Sequence, residues 1–161
     1  MRSFRYIYEE PKTIMNMKKM MISALAILAL AIIPASADDV PISVDKLPIE
    51  AHKFLKTHFA QNRVVTALHD RDVADDDYTV ILDNGAKIEF TSTGKWESVK
   101  SRNGAVPASV VPTKISDYVS QHYNSLGIEK IERKRYGYEV ELTNDLDLKF
   151  DLNGHFLGLD D

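Results

Sequence analysis

Between residues 78 and 100 the side chains alternate with period two, and turn residues break the alternation twice. Tyr78, Val80 and Leu82 take alternate positions, Asn84-Gly85 interrupts, Ile88 and Phe90 resume, Thr93-Gly94 interrupts again, and residues 96–100 return. Strict alternation marks strands with one buried face. Asn-Gly between two such runs is the strongest short hairpin signal, because a type I′ turn needs positive φ at both central residues. Three antiparallel strands are therefore expected. About sixty residues later the pattern recurs in Tyr138, Val140 and Leu142, a turn at Asn144-Asp145, Leu148 and Phe150, a turn at Asn153-Gly154, then Phe156 and Leu159.

Each alternating block is preceded by a stretch of a different period. After Pro48, the residues Ala51, Phe54, Leu55, His58 and Phe59 fall at i, i+3, i+4, i+7 and i+8; after Pro112, Ile115, Tyr118, Val119, His122 and Tyr123 do the same. That spacing makes one apolar stripe on a helix, and proline is well suited to the first helical position. Residues 63–71 and 128–135 read as a further strand in each half. The pattern predicts an α+β protein: a tandem repeat of a helix followed by an antiparallel four-stranded meander, with the helices on one sheet face. Repeat 1 spans residues 47–102, a turn-rich linker 103–110, and repeat 2 residues 111–161. The alternate positions then form a polar face carrying Lys87, Glu89, Glu139, Glu141, Asp147, Lys149 and Asp151. Tyr136, next to Gly137 and outside the alternation, is expected at the surface.

Composition narrows the class. Residues 17–19 are short and basic, 20–33 are apolar and uncharged, and Ala35-Ser36-Ala37 follows Pro34. These are the parts of a secretory signal peptide, expected to end at residue 37, with 1–16 read as a spurious upstream extension. Residues 38–46 read as a loose leader or an edge segment. The chain has no cysteine, and export without disulfides points to a bacterial envelope. Five basic and two acidic residues lie within 1–37, so their loss takes the net charge from −4 to −7. An acidic product repels nucleic acid and anionic lipid, so neither nucleic acid nor, after signal removal, a membrane is an expected partner.

Candidate chemistry is sparse. His58 and His122 sit at matching places in the two stripes, but a metal site needs further ligands nearby; each is read as a packed ring with one hydrogen-bond partner. The acids Asp70, Asp72, Asp75, Asp76 and Asp77 lack the alternation and glycine of an EF-hand loop and read as a solvated loop. There is no Gly-x-Ser-x-Gly elbow, phosphate loop or dinucleotide fingerprint. No catalytic, cofactor-binding or metal-binding residue is assigned. The expected function is a non-catalytic exported binding module, an inhibitor or sensor of another envelope or secreted protein. The alternatives are a carrier of a small molecule or metal, or a small carboxylate-dependent hydrolase.

The paired segments LPIEAHKFLKTHFA and VPTKISDYVSQHYN, with YTVILDNGAKIEFTSTGKW and YEVELTNDLDLKFDLNGHF, resemble the PepSY-like, beta-lactamase-inhibitor-like exported proteins of Bacteroides-type bacteria. The resemblance implies tandem helix-plus-four-strand units, export to the periplasm or beyond, and no established catalysis.

Overall fold

The alternating segments are strands, and their turns fall at Asn84-Gly85, Thr93-Gly94, Asn144-Asp145 and Asn153-Gly154. The computed structural model describes residues 39–71 and 76–160. The expected signal peptide, and Asp72 and Asp75 of the acidic loop, lie outside the described residues. In chain order the elements are β1 (Asp39–Pro41), a single 3-10 turn (Val44–Lys46), α1 (Ile49–His58), β2 (Val64–Asp70), β3 (Tyr78–Leu82), β4 (Lys87–Phe90), β5 (Trp96–Lys100), α2 (Thr113–His122), β6 (Ile128–Lys134), β7 (Gly137–Leu142), β8 (Asp147–Asp151) and β9 (Phe156–Asp160). Both helices begin one residue after their proline, which caps them in an extended conformation.

The expected tandem repeat of a helix followed by a four-stranded meander is not what forms: the strands make a single nine-stranded sheet with two helices. Nine strands run through one antiparallel sheet in the order of the sequence, β1 to β9. The join is β5 on β6, with Ser98 opposite Glu132, Val99 opposite Ile131 and Lys100 opposite Lys130. Two separate meanders would each leave an unpaired edge at this point. Pairing the two edges satisfies their backbone groups and buries Val99 and Ile131 completely, at 0% exposure each. The ninth strand comes from the leader: β1 lies on β2, with Val40 opposite His69. The segment read as a linker also joins the core. Val106 and Val110 are buried, and the Val106 amide donates to the Ile128 carbonyl at 2.7 Å.

One apolar cluster runs the length of the sheet. Ala51, Leu55 and Phe59 of the first helical segment and Ile115 and Val119 of α2 pack with Val80, Ile88, Phe90, Val99, Ile131, Val140, Leu148 and Phe150. These strand residues alternate with the charged ones, so both helices cover the same sheet face. Burying a side chain such as Phe150 or Leu148 is worth roughly 1.5–3 kcal/mol each. Aromatic contacts fix how each helix sits. The Phe54 ring meets Phe90 edge-on at 5.6 Å and 83°, and Tyr118 meets Phe150 at 5.5 Å and 82°, the arrangement that aromatic quadrupoles favour. Gly94 lets the β4–β5 turn approach α1: a Cβ there would stand 2.7 Å from the Pro48 Cβ and 2.9 Å from the Ala51 nitrogen. Its φ of +81° is one that other residues rarely adopt.

Candidate interaction face

The face without helices is built by the period-two alternation of β3 to β9. Register sets its charged residues in two rows across the strands. One row reads Thr79, Glu89, Ser98, Glu132, Glu139, Lys149 and Gly158; the other reads Ile81, Lys87, Lys100, Lys130, Glu141, Asp147 and Asp160. The second row thus places three lysines side by side, then three acids. Like charges directly opposite one another are unfavourable, and ion pairs within the second row, between the rows, and with Lys134 and Glu129 beside them offset this. Lys130 meets Glu132 at 2.6 Å, Lys134 meets Glu132 at 2.9 Å and Glu139 at 3.2 Å, and Lys100 meets Glu141 at 3.2 Å and Glu129 at 3.4 Å. Lys149 meets Asp160 at 2.6 Å, and Lys87 meets Glu89 at 2.5 Å.

Protonation follows from this lattice. Burial works to raise the Glu132 carboxyl, but hydrogen bonds from Lys130 and Lys134 outweigh it and hold the group below the usual range. Hydrogen bonding to Glu132, opposed by burial, raises the Lys134 ammonium well above the ordinary lysine value. Asp147 is different. Its carboxylate forms no ion pair or side-chain hydrogen bond among the described residues, and the one cation that acts on it, Lys130, is paired with Glu132. Burial, then the charges of Glu141 and Asp160, push its carboxyl above the ordinary aspartate value. Lys130, Glu132, Glu139, Glu141, Asp147 and Asp160 line an open depression of about 160 Å³.

Of the residues expected on this face, Lys87, Glu89, Glu139, Glu141, Asp147 and Lys149 share it. Asp151 lies opposite Gly137, but its carboxylate serves its own turn. It accepts from the backbone amides of Asn153 and His155 at 2.8 Å each and contacts His155 Nδ1 at 3.0 Å. Tyr136 is exposed, and its hydroxyl donates to Glu139. Burial first and Glu139 second push that phenol up to about 12. Lys100, Lys130, Glu132, Lys134 and Asp160 belong to the face but were not among the expected residues. The spacing of Lys130, Glu132 and Lys134 at every second position was the available signal. The histidines of the helical stripes are each held by one ring contact and one hydrogen bond: His58 tilted against Phe54 with Ser109, and His122 stacked on Tyr118 with the Tyr118 carbonyl.

Residues 76–158 match a protein-family model described as "Putative beta-lactamase-inhibitor-like, PepSY-like". The chain belongs to this PepSY-like family. Three solved structures are similar to it. One, from Bacteroides thetaiotaomicron, described as a "putative calcium-regulated periplasmic protein", is 39% identical, with a TM-score of 0.73 over 77% of this chain and 98% of that one. A periplasmic protein from Bacteroides vulgatus is 41% identical, with a TM-score of 0.71 over 79% and 100%. Another from the same organism, a periplasmic protein of unknown function, is 38% identical, with a TM-score of 0.72 over 76% and 99%. No match is found among curated proteins. This PepSY-like chain is an exported protein of the periplasm or beyond, like these relatives. Among the described residues no helix is long and apolar enough to cross a membrane.

Proposed function

We propose that this PepSY-like protein is a non-catalytic binding module of the cell envelope, an inhibitor or sensor of another exported protein. Its partner docks on the helix-free sheet face and directs a lysine or arginine at Asp147. The observation that carries this reading is the contrast within the face. Its other charged residues are held by ion pairs or neighbours, so the surface is preordered, while the charges of Glu141, Asp160 and Glu139 around Asp147 are opposed there by Lys130 alone, which makes its ion pair with Glu132. A preordered surface loses less freedom on binding, and an unmatched acid selects a basic partner and speeds its approach. The inhibitor-like description of the family supports the same reading.

The test compares two baits, the mature domain and its Asp147→Lys variant, on one envelope extract, with mass spectrometry of what each retains. Proteins held by the first and lost from the second support docking at Asp147; identical sets on both sink it. This variant is cleaner than reversing Glu139 or Glu141, which would set new lysines against Lys134 and Lys100. We further propose that residues 1–37 are the export signal: intact-mass analysis of the exported product is expected to begin at Asp38, and a product retaining residues 20–33 contradicts this.

A further inference from the structure

The two ends of the sheet are unlike. β1 has three residues and ends in Pro41, which has no N–H to donate, so that edge offers little to another strand. β9 has five residues and leaves Leu157 and Leu159 exposed, at 58% and 52%. An edge strand with exposed apolar residues is a template for a further strand.

The chain itself shows what a strand laid on such an edge looks like. β5 lies on β4 with Lys87 opposite Lys100, Ile88 opposite Val99, Glu89 opposite Ser98 and, past a bulge, Phe90 opposite Trp96. β9 lies on β8 in the same register with the same bulge: Asp147 with Asp160, Leu148 with Leu159, Lys149 with Gly158, Phe150 with Phe156. The difference is that β5 carries β6 on its other side, whereas among the described residues no strand lies on the other side of β9. On β5, the incoming strand sets Ile131 against Val99 and buries both. It places Lys130 opposite Lys100 and Glu132 opposite Ser98. It also brings the Arg133 guanidinium to 5.1 Å from the centre of the Trp96 ring, a cation–π distance.

Carried over to β9, the same strand puts an apolar side chain on Leu159, a basic one opposite Asp160, an acidic one beside Lys149, and an arginine over Phe156. The charges suit β9 better than β5, since Asp160 stands where Lys100 does. We propose that β9 takes an antiparallel strand from another polypeptide, with the pattern basic, apolar, acidic, arginine. This deepens the binding-module reading and rests on it, but not on which sheet face the partner uses. A second copy is a poor occupant, because β9 (FLGLD) has no lysine or arginine to offer.

The probe is a capped synthetic peptide with the sequence of β6, IEKIERK, titrated into the mature protein while backbone amides are followed by NMR. Saturable shifts confined to residues 156–160 and their β8 neighbours are expected. Replacing the peptide's central isoleucine by asparagine, or its arginine by alanine, weakens binding several-fold. Leu159→Lys in the protein weakens it roughly tenfold with an unchanged melting temperature. Absence of shifts in β9 at millimolar peptide, equal affinity for Leu159→Lys, or sedimentation showing a dimer that dissociates on Leu159→Lys would each overturn the inference. If the peptide leaves β9 untouched while Asp147→Lys still loses captured proteins, the edge inference falls and the face reading stands.

Discussion

Truncating Leu148 to alanine tests whether the sheet is one cooperative body. Leu148 is fully buried on β8, at 0% exposure, and stands opposite Val140 on one side and Leu159 on the other. Leucine-to-alanine changes in cores cost about 2.7–5.0 kcal/mol, depending on how far the site relaxes. Here Leu159 is half-exposed at the sheet edge and free to settle inward, so a cost near the low end, about 3 kcal/mol, is expected. With a urea dependence of about 1.5 kcal/mol per molar for a domain of this size, the midpoint falls by about 2 M. The reporter is Trp96, the single tryptophan, which lies on β5 in the other half and packs on Phe54 at 5.9 Å. If β5 and β6 bind the halves into one sheet, Trp96 fluorescence and far-ultraviolet circular dichroism shift together along a single transition. A Trp96 midpoint that stays in place while circular dichroism becomes biphasic would refute the reasoning, since the halves would then unfold independently.

Gly137→Ala should destabilise by roughly 2–3 kcal/mol, because a Cβ there would stand 2.0 Å from the Phe150 carbonyl oxygen; urea denaturation checks this, and an unchanged midpoint contradicts the tight β7–β8 approach. Asp147→Asn gives a pH-dependent effect. The raised carboxyl keeps its proton to higher pH in the folded state than in the unfolded one, so stability falls as pH rises through that range. The variant should therefore melt higher than the wild type at pH 7, with the gain gone at about pH 3, below the ordinary aspartate range. Calcium at about 1 mM, or EDTA, should leave the melting temperature within about 1 °C, because lysines already neutralise much of the acidic depression and only selective binding to the native state raises it; a rise of several degrees with calcium would contradict this.

Much of the fold is local, and local patterns were legible. Alternation places Tyr78, Val80, Ile88 and Phe90 on one side of their strands, and Asn-Gly and Asn-Asp place the turns. The i, i+3, i+4 stripe places Ala51, Leu55, Ile115 and Val119 against the sheet. What could not be read was pairing between strands distant in sequence. Residues 101–127, including α2, separate β5 from β6, and nothing in Val99 or Ile131 names the other as its neighbour. The same blindness hid the charge lattice, since Lys100 reaches Glu141 only because three strands lie in register. Alternation puts Asp151 on the same side of β8 as Asp147 and Lys149. Its place two residues before Asn153-Gly154 is the mark of an Asx turn, which is where its carboxylate goes.

The most direct test of docking on the helix-free face is the association rate of a captured partner with the mature domain and with its Asp147→Lys variant, measured at two salt concentrations. Steering by the acids around Asp147 predicts a wild-type rate that falls steadily as salt shortens the Debye length, which is about 8 Å at physiological ionic strength. For the variant it predicts a slower rate and a shallower salt dependence. Equal rates and equal salt dependence for the two proteins would contradict the proposal that the partner approaches through Asp147.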